Sequence, residues 1–575
     1  MLTIDGSRLR HRGRAGAVAR GCERLGGPRR SRRGRDPDRL RRAARGVAAT
    51  ARAVAALLAL ATSGAAGGEV ALELRAALRA TPADAVVLAV QAAWADREFE
   101  PRFVEAEPPY RPTPDAYAVL EVLVDAPARG LPAAAYRPEA LRAALESAVD
   151  PRTAARAEAA LALTFGRHLA DAGFGRIDPR ALGHDLPQQR RRDDLQPAVR
   201  RALGRPDPRE ALAAIEPSLP LYRTLRAALP QWRARAAGPA PPALPPVRGK
   251  VEPGDAWPGV AALRARLQAE GDLPATARDV PSDRYAGDLP QAVRRFQQRH
   301  GLEADGILGA RTLAELAVPA ADRIRSIELT LERLRWLGAT PTGRYVAVNL
   351  PAFRLWAVDG GRVTLSMAVV VGRVASRTPV FVDAIEAVEF NPYWNVPRSI
   401  AARELYPTFA RDPGRLAAQH MELIGGDRER DLRAALARGA ARLRQRPGPW
   451  NALGRVKFVM PNPHDVYLHD TPARTLFARS RRDFSHGCIR LEDPAGLAAF
   501  VLQGRPEPPQ ALIDAALASD RNRVVPTAAP IPVLIFYATV IADAEGRLSF
   551  LPDLYGHDAR LDQALRGLHG PAAPR

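Results

Sequence analysis

Two short stretches of the chain carry side chains able to do acyl transfer. Val466-Tyr467-Leu468-His469-Asp470-Thr471-Pro472 comes first, and Ser485-His486-Gly487-Cys488-Ile489-Arg490 follows. Transfer of an acyl group to an amine needs a nucleophile that outcompetes water. A thiolate serves, but a free cysteine is mostly thiol at neutral pH and needs a base or a positive field beside it. An imidazole supplies the activation and later returns the proton. Two histidines are available. His486 lies two residues before Cys488, so in a strand both project from one face. His469 lies 19 residues upstream, at the end of another strand. Spacing alone leaves both open as the base.

The neighbours add to the pattern. Gly487 removes bulk just before the thiol, so a substrate carbonyl can approach the backbone. The Cys488 N–H is then placed to hold an oxyanion, and Tyr467, on the strand face of His469, brings a hydroxyl. Donors of this kind are worth about 3 kcal/mol each. Arg490 shares the face of Cys488 and suits a substrate carboxylate, bound bidentately. Two blander readings stand beside this one. A single cysteine is usually a small buried hydrophobe. His469, His486 and Cys488, with His464, are also a zinc ligand set. They lack the paired spacing of a structural zinc site and the HExxH helix of a metallopeptidase, so no metal is expected.

These residues need a β framework. From Tyr345 the chain turns β-branched and alternating, at Tyr345 to Leu350, Phe353 to Val358 and Val363 to Val371. Asp359-Gly360-Gly361 between the last two is a hairpin signal. Strand-like runs recur at Val380 to Phe390, Lys457 to Met460 and Val466 to His469. A helical, charged segment at 398–446 interrupts them and is far longer than an ordinary connection. Inserted segments beside active sites are often lids. A helix over 501–520 and a last strand pair, Val533 to Ile541 with Leu548 to Leu551, complete the region. Residues 556–575 read as a tail.

Upstream, residues 69–250 read as several short helices broken by prolines, ending in a Pro-rich linker at Gly238 to Pro246. Residues 251–322 read as a three-helix module. Val260, Leu263 and Leu267 share one helix face. Val293 and Phe296 share another, closed by Gly301.

The formal charge is +21, but residues 1–52 alone supply +12 of it. The remainder is mixed in sign and has no basic patch interleaved with aromatics, so nucleic acid is not an expected partner. Only Lys250 and Lys457 are lysines, and nearly every base is arginine. Residues 1–68 read as a basic leader and secretory signal. An Arg-rich stretch precedes the apolar run Val54 to Ala61, and small residues follow it. The chain is thus expected to be exported to the periplasm or cell envelope. It would meet the membrane only if the leader stays uncleaved. Cleavage would remove Cys22 and leave Cys488 as the one thiol.

The segment Val466–Pro494 resembles the catalytic motif of the YkuD-type L,D-transpeptidases. Phe390-Asn-Pro-Tyr-Trp-Asn-Val-Pro397, Pro447-Gly-Pro-Trp-Asn-Ala-Leu-Gly454 and Lys457-Phe-Val-Met-Pro-Asn462 resemble segments of the large multidomain members. Phe296-Gln-Gln-Arg-His-Gly301 and Asp305-Gly-Ile-Leu-Gly309 resemble a peptidoglycan-binding module, and 69–250 resembles the helical scaffold that precedes it.

The resemblance implies a multidomain α+β protein. Its catalytic domain, at 323–555, would be β-sandwich-like, with 398–446 as a helical cap. Cys488 would be the nucleophile and His469 the base, its ring oriented by the Asp470 carbonyl. Tyr467 and the Cys488 N–H would form the oxyanion hole, with Ser485, His486 and Gly487 in support. Arg490, Trp394 and Asn451 would bind substrate. The implied activity is 3→3 cross-linking of peptidoglycan stem peptides through a cysteine thioester, with no cofactor and with carbapenems as acylating inhibitors. Glycan strands would bind at 251–322. Alternatives are an L,D-carboxypeptidase, a lipoprotein-attaching transpeptidase, or a cell-wall binding protein with a silent catalytic domain.

Overall fold

The structure, a computed structural model, describes residues 68–186, 194–277, 283–338, 341–412, 414–424 and 442–568. The expected leader and signal, Cys22, and residues 425–441 of the cap lie outside them. No helix among the described residues is long and apolar enough to cross a membrane.

The first described region is helical. Its longest element is the 24-residue helix Pro151–Phe174, against which Glu69–Ala80, Ala85–Ala95 and Pro114–Val124 pack. Several short helices were expected, and most of them are short, but this one is not. Pro114, Pro138 and Pro151 sit in a first turn, where no N–H is missed, and the helix Pro220–Ala237 runs on through Pro230 in its interior. Asp150 caps the long helix in a capping box with Thr153. Next come Val260–Ala269, Leu289–Arg299 and Ala310–Leu316, around a core that includes Trp257, Leu263, Phe296 and Leu308. The helix Ala320–Leu337 crosses the expected boundary at 322 and packs on Pro220–Ala237 through Leu331, Leu334, Leu225 and Leu229.

Fourteen strands follow among the described residues. They are β1 (Tyr345–Asn349), β2 (Arg354–Asp359), β3 (Arg362–Gly372), β4 (Phe381–Phe390), β5 (Trp394–Asn395), β6 (Met421–Ile424), β7 (Arg442–Gln445), β8 (Val456–Val459), β9 (Leu468–His469), β10 (Asp483–Ser485), β11 (Ile489–Leu491), β12 (Arg523–Phe536), β13 (Val540–Ala542) and β14 (Leu548–Phe550). Nine form one sheet, in the order β10-β3-β11-β9-β8-β4-β12-β1-β2. β2 also pairs with β3, so the sheet closes on itself and encloses its core. The domain expected to be β-sandwich-like is built on one closed sheet, and closure removes the long edges a flat sheet would expose. The β2–β3 hairpin turns on Gly360 and Gly361, both at positive φ, as a two-residue hairpin loop requires.

Three further expectations change. The single helix over 501–520 is two, Pro494–Val501 and Pro509–Leu517, separated at Gly504-Arg505-Pro506. The last strand pair is β13 with β14, while Val533–Phe536 belong to β12 of the main sheet. The segment read as a tail forms the helix His557–Gly567, with His557, Leu561 and Leu565 buried. In the inserted segment, helical turns at 398–411 and 414–418 lie beside a small sheet in the order β5-β7-β6, over a core of its own that includes Tyr406, Phe409 and Leu443.

Candidate active site

The site grows out of one register. β9 and β11 run parallel, with Ile489 beside Leu468 and Arg490 beside His469. Side chains alternate along a strand, and partners across a ladder face the same way. Leu468, Ile489 and Leu491 point into the core and are fully buried. His469 and Arg490 point the other way, and Tyr467 and Cys488 fall in with them. Lys457 of β8 is the partner of His469, and Glu389 of β4 is the partner of Lys457. A polar row thus crosses four strands on the face opposite the core.

His469 is buried, and its Nδ1 lies 2.5 Å from the Asp470 carbonyl oxygen. That carbonyl accepts the Nδ1 proton and leaves Nε2 as the basic nitrogen. Burial, then the Arg490 charge, hold the imidazole down to about 3, although the Asp470 and Leu453 carbonyls pull the other way. The ring is neutral at physiological pH. The Asp470 carboxylate is engaged elsewhere, accepting from the N–H groups of Arg455 and Thr471 at 2.8 and 2.7 Å.

Cys488 is half-buried, and its thiol lies 3.7 Å from the Asp465 carbonyl oxygen. Burial pushes the thiol up. Hydrogen bonds from Tyr467 and the charges of Lys457 and Arg490 offset part of that rise. The resting pair is thus a neutral thiol and a neutral imidazole, and attack must be coupled to proton transfer. Burial, followed by the neighbouring Cys488, raises the Tyr467 phenol and keeps it protonated as a donor. Its ring meets the His469 ring edge-on at 5.7 Å. Arg490 is half-buried and makes no hydrogen bond or ion pair among the described residues, and its Nε is buried without a partner.

The turn before the nucleophile is tightly tied. Ser485 Oγ donates to the Cys488 carbonyl at 2.6 Å and accepts from the Gly487 N–H at 3.1 Å. Gly487 sits at φ +129°, and a Cβ there would meet only the Arg377 carbonyl oxygen at 3.9 Å, so conformation rather than crowding demands glycine. Thr378 Oγ1 donates to the Gly487 carbonyl at 2.7 Å and accepts from the Gly372 N–H at 2.9 Å. The Tyr555 hydroxyl accepts from the Thr378 N–H and donates to the Gly372 carbonyl.

Thr378, Tyr555 and Lys457 were not singled out from the sequence. Thr378 and Tyr555 lie 109 and 68 residues from Gly487 in the chain, a distance no local spacing encodes. Lys457 carried a signal, being one of two lysines in an arginine-rich chain.

Other expected site residues lie elsewhere. His486 does not share the face of Cys488, because β10 ends at Ser485 and Gly487 turns the chain. It is exposed, with Nε2 2.6 Å from Glu404 Oε1 in the inserted segment. His464 pairs with Asp185 at 3.0 Å. The histidines of the zinc alternative thus serve three different partners, and no three metal-ligating side chains cluster among the described residues. Asn451 is a correction. It is wholly buried, with Nδ2 donating to the Pro392 and Arg446 carbonyls and Oδ1 accepting from the Leu453 N–H, so no group remains for substrate. Trp394 packs against the small core of the inserted segment.

With this geometry in view, comparison with known proteins is informative. Residues 343–508 match the family model of the L,D-transpeptidase catalytic domain, residues 88–229 a scaffold domain, and residues 258–316 a domain described as peptidoglycan-binding. A Haemophilus influenzae protein provisionally named an L,D-transpeptidase is 31% identical over 248 residues, which are 42% of this chain and 49% of that protein. The chain thus spans about half the length of that curated relative. Among solved structures, an L,D-transpeptidase of Xylanimonas cellulosilytica (residues 123–326) is 17% identical with a TM-score of 0.17, covering 51% of this chain and 100% of that one. One from Stackebrandtia nassauensis is 15% identical with a TM-score of 0.20, covering 52% and 97%. Residues 343–508 thus match an L,D-transpeptidase catalytic domain, on a chain whose upstream residues match a scaffold domain and a peptidoglycan-binding domain.

Proposed function

We propose that the chain cross-links peptidoglycan by 3→3 transpeptidation, with Cys488 as nucleophile and His469 as general base. The observation that carries this reading is the β9–β11 register, which sets His469, Tyr467, Cys488 and Arg490 on one face. Cys488 Sγ attacks the carbonyl that joins the third residue of a donor stem to its terminal D-Ala. The thiol proton passes to His469 Nε2, while the Cys488 N–H and the Tyr467 hydroxyl hold the developing oxyanion. The carbon–nitrogen bond breaks, His469 returns the proton to the leaving amine, and a thioester remains. A side-chain amine of a second stem attacks that thioester, gives its proton to His469, and releases the thiol. Arg490, with no partner of its own, holds a carboxylate of the donor stem. The peptidoglycan substrate places the work in the cell envelope, outside the cytoplasm.

The test is intact mass after exposure to a carbapenem. Wild type gains one adduct and Cys488→Ala gains none. An undiminished adduct on Cys488→Ala removes the assignment. Transpeptidation itself is read from muropeptides made with the purified protein, and the absence of 3→3 dimers removes it.

A further inference from the structure

A cleft of about 1050 Å³ lies where Asp272 and residues 295–311 meet residues 351–354, 478–482 and 541–554. Cys488 and His469 do not line it. The size is at the upper end of binding sites for small molecules and oligomers. Its walls are bolted together. Arg299 donates to the Leu548 carbonyl at 2.5 Å, Ser480 donates to Glu303 at 2.9 Å, and the His300 ring stacks on Phe550 at 5.9 Å. The cleft is a fixed part of the fold.

Eight arginines and four carboxylates line it. The carboxylates are engaged. Asp272 is bound by Arg299, Asp543 by Arg547, Glu303 by Ser480, and Asp553 by the Tyr537 hydroxyl and the His557 N–H. Several arginines are not. Arg311 and Arg479 are exposed and make no ion pair among the described residues. Arg482 gives its terminal nitrogens only to the carbonyls of Arg479 and Phe353, and its Nε is buried without a partner. Walls with such an excess of positive charge focus the field and concentrate anions. Guanidinium forks favour carboxylates in particular. Arg482 precedes Cys488 by six residues along β10 and the nucleophile turn, at most about 20 Å of extended chain.

We propose that this cleft binds a carboxylate-bearing stretch of the peptidoglycan polymer next to the stem held at Cys488. The inference rests on the proposed function, which supplies the polymer. The cleft gives the enzyme a second grip, shared between the peptidoglycan-binding and catalytic domains, on a strand whose stem is being processed.

The test uses the full chain as Cys488→Ala, which binds without turnover. It is titrated with soluble uncross-linked glycan strands bearing tetrapeptide stems, and with the same strands after carboxyl amidation. Arg311→Glu with Arg479→Glu should weaken binding of the unmodified strands by about tenfold or more. Raising the ionic strength should weaken binding in the unsubstituted cleft, a readout that needs no variant. Amidated strands should bind weakly and equally to both proteins. Equal affinity of the two proteins for unmodified strands overturns the proposal, and so does undiminished binding of amidated strands. The carbapenem adduct on wild type reads the chemistry separately. Charge-dependent binding without an adduct removes the transpeptidase reading and leaves the cleft standing. An adduct without charge-dependent binding removes the cleft alone.

Discussion

The turn 485–488 and the inserted segment at 398–424 and 442–446 meet at His486, yet they are held by different means. In the turn, Ser485 and Thr378 bond both sides of Gly487, and Tyr555 locks Thr378 in turn. On the strand beside it, the His469 ring is fixed through Nδ1. The inserted segment has its own small core and its own three-stranded sheet. Across the gap it offers Glu404, which bonds His486 at 2.6 Å and Arg373 at 3.4 Å, all of them at least partly exposed. An exposed ion pair is worth about 0–1 kcal/mol, while a buried polar group stripped of its partner costs about 1–3 kcal/mol. The reactive pair is therefore held by buried bonds, and the inserted segment reaches the turn through exposed ones. That is how a lid would be mounted over a preorganised centre.

The sharpest break in this contrast comes from the rigid side. His469→Ala should slow carbapenem acylation by about 10²- to 10⁴-fold, the usual worth of a positioned general base. Stopped-flow fluorescence with a mass endpoint measures it, and a loss under tenfold would mean that another group takes the proton. Thr378→Val comes next. It leaves the Gly487 carbonyl and the Gly372 N–H unpaired in a buried place, at a cost of about 1–3 kcal/mol each before relaxation. A lower melting temperature and acylation slowed by about tenfold or more are expected. Restoration by Thr378→Ser, which keeps the hydroxyl, separates positioning from packing. If Val and Thr acylate alike, the turn is held by something other than this hydroxyl.

How much of this was legible follows the reach of each interaction. The alternation in Tyr345–Val371 and the Asp359-Gly360-Gly361 turn are local, and the β2–β3 hairpin follows directly from them. The joining of His469 to Cys488 on one face depends on a parallel pairing across 21 residues, which the strand pattern allows and does not fix. His486 misled because period-2 reasoning assumes an unbroken strand, and Gly487 breaks it. Asn451 was expected to bind substrate on the resemblance of its segment, Pro447 to Gly454, alone. Only the fold shows its amide filled by carbonyls that sit beside it in space. Closure of the sheet is likewise a long-range property, since β2 must meet both β1 and β3.

The pH dependence tests whether the base is as enclosed as its burial implies. An ordinary imidazole with a pKa near 6.5 would lose about 25-fold in neutral form between pH 7 and pH 5. His469 is held down to about 3, so its neutral form persists across that range. Acylation should therefore change by less than about twofold from this group between pH 7 and pH 5. The same depression acts on stability with a definite sign. Below about 6.5 the unfolded chain takes a proton that the folded chain refuses. Each such histidine then costs stability increasingly down to its folded value. His168 at about 3 and His184 at about 4 join His469 in this, while Glu158, raised to about 7, works in the opposite direction. An acid limb in the acylation rate with a midpoint between 6 and 7 would show an imidazole open to water, and the rigid, covered half of the comparison would fall.

The smallest effect should come from the light attachment itself. His486→Ala and Glu404→Gln each remove the exposed contact between turn and inserted segment. Solvent screening limits that contact to about 0–1 kcal/mol, so acylation should change by no more than about fivefold. The two substitutions together should cost no more than either alone, because each deletes the same interaction. High salt should shrink the difference from wild type, since an exposed pair is screened within a Debye length. If His486→Ala instead matches His469→Ala, the exposed histidine carries the proton and the roles drawn from the β9–β11 register reverse. If the double variant loses far more than either single one, Glu404 and His486 act through separate partners. Arg373, 3.4 Å from Glu404, is then the residue to follow, because it lies one position beyond the Gly372 that anchors Thr378.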